Sequence, residues 1–154
     1  MAIEHTKVKM LHNAVKEDMN ILDYSYDNKN NAIFFDKLTE GNAKIISANP
    51  NMRISAIKRL FEDTHIDIVH IHANNETPVF LAMVKAMLRR DHPIVFVSID
   101  RKKIKPSYDT FIDYVKSFMV SVGYRSMYIG RSPGMETPSD YVFTYEYHPS
   151  KVIL

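Results

Sequence analysis

An open, mostly parallel α/β sheet, doubly wound by helices on both faces and ending in an antiparallel hairpin, is the fold this sequence predicts. Three observations carry it. Short apolar runs alternate with helix-periodic segments four times along the chain. The runs at 66–71 and 93–99 are nearly continuous β-branched and apolar residues, as in strands covered on both faces. The last two runs, about 124–130 and 140–147, are joined only by a loop holding Pro133, Gly134 and Pro138, so they read as a hairpin.

Each element has its own local reason. Val8, Leu11, Val15 and Met19 recur at helical spacing and predict an amphipathic leading helix over 4–19. Ile21 and Leu22 begin a short strand that gives way to Asp23-Tyr24-Ser25-Tyr26-Asp27 and a polar loop, Asn28-Lys29-Asn30-Asn31. Ala32–Leu38 is the next helix, stopped near Gly41. Ala43–Ala48 is a strand cut by Asn49-Pro50-Asn51, and Ile57, Leu60 and Phe61 mark the inner face of a helix over 52–63. After the strand Ile66–Ile71, Thr77 is placed to cap a helix with Pro78 at its first position, where a missing N–H costs nothing. That helix runs to about Arg90, and Arg89 and Arg90 complement its carboxyl end. The strand Pro93–Ile99 follows. Ser107 then caps a helix with Phe111, Ile112, Val115, Phe118, Met119 and Val122 inward, closed by Gly123 in the left-handed conformation. No linker or repeat interrupts this series, so residues 1–154 read as a single domain.

Composition excludes several functions. With no cysteine there is no disulfide framework, thiolate metal site or cysteine nucleophile. Only four glycines occur, at 41, 123, 130 and 134, so neither common glycine-rich phosphate loop can be written. No apolar run is long enough to cross a membrane, and the amino terminus lacks an apolar signal core, so a cytoplasmic protein without a membrane partner is expected. The basic run Arg101-Lys102-Lys103-Ile104-Lys105 has no interleaved aromatics. It reads as a solvated loop, and nucleic acid is not an expected partner.

At the strand ends the sequence resembles a family. Ile21-Leu22-Asp23-Tyr24-Ser25-Tyr26-Asp27-Asn28-Lys29, Asn49-Pro50-Asn51-Met52 and Ile71-His72-Ala73-Asn74-Asn75-Glu76-Thr77-Pro78 follow in the order and spacing of the FkbM-type S-adenosylmethionine-dependent methyltransferases, over roughly residues 20–147. The resemblance implies a Rossmann-like, methyltransferase-like fold and S-adenosylmethionine as cofactor, held by Asp23, Ser25, Asp27, Asn49 and Asn74. It implies a hydroxyl on a sugar or small metabolite as acceptor; His72, the one plausible general base at the strand ends, is the candidate catalytic residue to take the hydroxyl proton. The departures are specific. Ser25 and Lys29 stand where the family has glycines, Asn49 replaces the acid expected at the ribose, and His72 and Asn74 replace an Asp and a Glu. The interval from Pro50 to Ile66 is too short for one further β–α unit of the family's sheet, which leaves a strand order of 2-1-3-4-5.

Two readings of function therefore stand side by side: a small O-methyltransferase with an eroded cofactor site, and a non-catalytic binding or regulatory module of the same fold, with its function in its surface, where a protein partner could dock, instead of in its pocket. A third, weaker one rests on Asp67-Ile68-Val69-His70-Ile71-His72, which resembles a strand in the acceptor-side half of GT-B glycosyltransferases. Those enzymes need a second Rossmann-like domain that this length cannot hold. His70 and His72 share one side of their strand, but two histidines do not make a metal centre, and no metal is expected. The alternating Tyr141, Phe143, Tyr145 and Tyr147 read as core packing.

Overall fold

The computed structural model describes residues 18–100, 104, 107–130 and 139–146, without the side chains of 127–130 and 139. Residues 4–17 of the expected leading helix, the basic run apart from Ile104, the loop of Pro133, Gly134 and Pro138, and Tyr147 lie outside the described residues.

The described residues form six strands and four helices, in the order β1 (Asn20–Tyr24), α1 (Asn28–Leu38), β2 (Lys44–Ala48), α2 (Ile54–Phe61), β3 (Ile68–His72), α3 (Thr77–Asp91), β4 (Ile94–Ile99), α4 (Tyr108–Ser121), β5 (Tyr124–Gly130) and β6 (Ser139–Tyr145). They form one sheet in the order β2-β1-β3-β4-β6-β5. The first four strands pair in parallel. β6 runs antiparallel to both neighbours.

This order corrects the expected 2-1-3-4-5, because β6, not β5, lies against β4. Side-chain chemistry explains the exchange. Tyr141, Val142 and Phe143 of β6 are all buried, on alternating faces, whereas Arg125 and Ser126 of β5 are exposed. The apolar strand takes the covered position and the polar one the edge, where charge discourages further pairing.

Alternation of side chains sorts the core into two layers. Leu22, Val69, Ile71, Val95, Val97, Tyr141 and Phe143 face α2, α3 and α4 in the larger cluster. There Tyr24 stacks on Phe80 with ring centroids 3.9 Å apart. Ile21, Ile68, Phe96 and Val142 face the other way, where Phe35 of α1 joins them. β3 is central, and Ile68, Val69 and Ile71 have no exposed surface. The aromatic stripe of β6 is core, as expected: Tyr141 and Phe143 belong to the large cluster and Tyr145 packs against it.

Three local details differ from, or match, the sequence reading. Helix α1 begins at Asn28, four residues before the expected Ala32, because side chains of its first turn are tied down by the end of β1. Thr77 is the first helical residue rather than the cap, and its hydroxyl accepts from the Asn74 N–H at 2.9 Å. Ser107 does cap α4, accepting from the Thr110 N–H at 3.3 Å, and Gly123 beyond that helix has φ +92°. Among the described residues no helix is long and apolar enough to cross a membrane.

Candidate functional site: a cleft where the winding reverses

β1 and β3 are neighbours, but α1 leaves β1 towards one face and α3 leaves β3 towards the other. Their backbones must diverge at the carboxyl ends, and open α/β sheets bind ligands at such a reversal. A cleft of about 550 Å³ opens there. One wall is the β1–α1 turn with Ser25, Tyr26 and Asp27, joined by Asn31 of α1; the other is the β3–α3 turn from Ala73 to Glu76, with His72 at the strand end. Among the described residues no lysine or arginine lines it.

The structure places the sequence-derived residues in three locations. Ser25, Asp27, His72 and Asn74 line the cleft together. Asp23 lies beneath it with no exposed surface. Asn49 is outside the cleft, and its Oδ1 accepts from the Asn51 N–H at 2.8 Å to close its own turn. Tyr26, Asn31 and Glu76 also line the cleft and were not singled out for ligand binding from sequence; the signal was their position one turn either side of two helix starts.

Asp23 is fully committed to the protein. Its carboxylate accepts from the Ser25 hydroxyl at 3.0 Å, the Asn28 amide at 2.9 Å, the Asn31 amide at 3.2 Å and His70 Nδ1 at 2.9 Å. A carboxylate only accepts, so the Nδ1 nitrogen of His70 carries the proton. The neighbouring gap is also closed. The Asn28 amide and the Ser25 backbone N–H both donate to the Ala48 carbonyl, each at 3.1 Å, sewing the end of β1 to the end of β2. The side chains filling this region are Asn28 and Asn31; Lys29 is exposed and does not line the cleft.

Further along the same face, His72, Ser98 and Asp140 occupy matched positions on β3, β4 and β6. Ser98 and Asp140 are buried, and the Ser98 hydroxyl donates to the Asp140 carboxylate at 2.5 Å. This direction of donation commits the hydroxyl to the carboxylate. Among the described residues no group of three metal-ligating side chains occurs. On the opposite face the Tyr24 phenol is pushed up to about 12, by burial first and then by the Glu76 carboxylate and Tyr26, with Asn74 opposing. Asn74 Oδ1 accepts from the Glu76 N–H at 2.7 Å, and its amide is the group that opposes the rise of the Tyr24 phenol.

No protein-family model and no curated sequence matches this chain. Solved structures do. A precorrin-6y C5,15-methyltransferase from Geobacter metallireducens superposes with TM-score 0.58 and 12% identity, over 94% of this chain and 88% of that one. A release-factor-specific protein-(glutamine-N5) methyltransferase from Alicyclobacillus acidocaldarius gives 0.58 and 11%, over 96% and 94%. A SAM-dependent methyltransferase from Aquifex aeolicus gives 0.55 and 13%, over 88% and 87%. The chain has a methyltransferase fold. At these identities the likeness concerns the fold, and activity has to be argued from the site.

Proposed function

We propose that this chain is a compact FkbM-like relative with an eroded cofactor site, a non-catalytic module that uses the cleft between β1 and β3 to bind a small ligand other than S-adenosylmethionine. One observation carries the reading: the amide of Asn28 joins Asp23 to the Ala48 carbonyl, across the route from the β1 loop to Asn49. The family resemblance puts the methionine end of the cofactor above residues 23–27 and its ribose at Asn49. Those two regions are separated here by a hydrogen-bonded side chain, and the acid that would anchor the loop is already saturated. The residues present do not fit that cofactor in that pose.

The test is calorimetric titration of the full chain with S-adenosylmethionine, paired with thermal melts at 1 mM cofactor. No binding and no shift are expected. A site with micromolar affinity would add about 4 kcal/mol at a thousandfold excess, an unmistakable rise in Tm, and would overturn the reading. A Ser25→Gly, Asn28→Gly double variant opens the same gap, and binding gained there would identify these side chains as the obstruction.

A second reading keeps O-methyl transfer to a sugar or metabolite hydroxyl, with His72 taking the proton. The place of His72 on the cleft wall favours it. It requires the cofactor titration to be positive.

A further inference from the structure

We propose that the outer edge of β2 is a self-association surface, on which a second copy of this chain pairs its own β2 antiparallel about a two-fold axis at Ile46. The chain itself leaves this edge open. Residues 49–67 hold α2 alone before β3 begins on the far side of β1, so no described strand lies outside β2. Two hydrogen bonds fix which way its backbone groups point. The Lys44 N–H donates to the Met19 carbonyl at 2.9 Å, and the Ala48 carbonyl accepts from the Ser25 N–H at 3.1 Å. Along a strand, successive residues turn their N–H and C=O alternately to one side and the other. Lys44, Ile46 and Ala48 therefore face β1, while Ile45 and Ser47 present two N–H and two C=O groups outwards.

The open stretch is bounded at both ends. Ala43 lies in a bend, and Asn49 is held in its own turn, its N–H on Met52 Sδ at 3.3 Å and its carbonyl accepting from the Met52 N–H at 2.9 Å. These bounds select a second copy as the occupant. An axis at Ile46 sets Ile45 opposite the second copy's Ser47, and Ser47 opposite its Ile45, so every outward group finds a partner. An axis moved to Ile45 or Ser47 sets one of these residues against the bend or the turn. The side chains agree with the same axis. Ile46 meets its own equivalent, and Lys44 falls opposite Ala48, so no like charges stand directly opposed. β2 also lacks the guards of an edge that stays unpaired. From Ile45 to Ala48 it holds no charge and no proline, and its register with β1 is unbroken. The opposite edge, β5, carries exposed Arg125 and a register shift between Tyr128 and Gly130, both of which discourage pairing. Association through β2 therefore closes at a dimer.

The proposal is independent of what the cleft binds. Sedimentation velocity of the full chain should show a monomer–dimer equilibrium half formed at about 10–100 µM, as fits a small interface held by main-chain bonds. Ser47→Pro removes an outward N–H that β1 does not use, and proline is tolerated on an edge strand. It abolishes half of the pairing bonds, so the dissociation constant should rise about tenfold or more. Ser47→Lys keeps the backbone donor and adds charge to the edge, and should weaken the dimer about threefold. Register is read by single cysteines, because the chain has none of its own. Under mild oxidation Ile46→Cys should form a disulfide-linked dimer, whereas Ser47→Cys, more than about 7 Å from its equivalent under this axis, should not. Melts of each variant establish that it is folded; if Ile46→Cys is not, the two Ser47 variants in sedimentation decide. A chain that stays monomeric up to about 500 µM, well above the range of such weak complexes, overturns the proposal. So does a dimer that Ser47→Pro and Ser47→Lys both leave intact, which places the contact on another surface. Cross-linking through position 47 in preference to 46, or growth beyond the dimer with rising concentration, overturns it equally.

Discussion

Replacing Asp23 with alanine separates a structural carboxylate from a ligand-binding one. The side chain has no exposed surface and serves four donors. Their fates on truncation differ. The Asn28 amide keeps the Ala48 carbonyl at 3.1 Å, and the Asn31 amide keeps the Ser25 hydroxyl at 2.9 Å. Nδ1 of His70 loses its acceptor at a position where the side chain is 6% exposed. Stranding such a donor costs about 1–3 kcal/mol. Adding the lost charge-assisted bonds and the cavity brings Asp23→Ala to about 3–5 kcal/mol, the range for breaking a buried pair from one side. Asp23→Asn keeps one acceptor oxygen and should cost about half as much. Urea denaturation followed by far-UV circular dichroism reads this directly, as a fall in midpoint with an unchanged m-value. In a double-mutant cycle with His70→Ala, the coupling should exceed about 1 kcal/mol, since the two side chains share one bond. A loss below about 1 kcal/mol, or strict additivity with His70→Ala, would refute the network; a variant with normal stability but weakened ligand binding would return Asp23 to the site.

Phe80→Ala removes a fully buried ring stacked on Tyr24 and should destabilise by about 3–5 kcal/mol in the same urea assay. Gly123→Ala forces a side chain into φ +92° with its Cβ 2.8 Å from the Tyr145 ring, and should lower stability by about 1–3 kcal/mol. Burial pushes the Asp91 carboxyl up, but hydrogen bonds from Arg90 and the Ile66 N–H, with the charges of Arg90 and His65, hold it below the ordinary range. Its folded pKa is therefore depressed, so its contribution is present above the unfolded value near 4 and is lost as pH falls through the lower folded value. Asp91→Asn should be less stable than wild type at neutral pH and flatten that acid limb in pH-dependent melts. Tyr24, raised to about 12 chiefly by burial, works in the opposite direction: its contribution holds below pH 10 and is lost as pH rises through the folded value. Ultraviolet titration at 295 nm should show late-ionising tyrosines, Tyr24 and Tyr124 among them, and Tyr24→Phe should remove one late step while that of Tyr124, raised further by burial, remains.

Much of the architecture was local and therefore readable. The β-branched run that became β3, the Pro78 helix start, the Ser107 cap and the left-handed Gly123 each express a preference of a few consecutive residues, and each stands where those preferences put it. Of the site, the strand-end position of Ser25, Asp27, His72 and Asn74 was readable for the same reason, since polar residues that close an apolar run mark where a strand meets solvent. The start of α1 was not. Asn28-Lys29-Asn30-Asn31 has loop composition, and it becomes the first turn of a helix because Asp23, buried in the strand just before it, binds the amides of Asn28 and Asn31.

The sequence by itself determined the elements, their alternation and the side of each strand that is apolar, because these depend on periods of two and 3.6 residues along one stretch of chain. Tertiary structure alone decided which strand lies beside which and which polar groups meet. β6 displaced β5 from β4 through pairings such as Val95 with Phe143, and Asn49 was left outside the cleft while Asn31 and Glu76 were brought in. Both outcomes join residues dozens of positions apart. Their free energy comes from burying one set of side chains in preference to another, a comparison that exists only once the whole sheet is assembled.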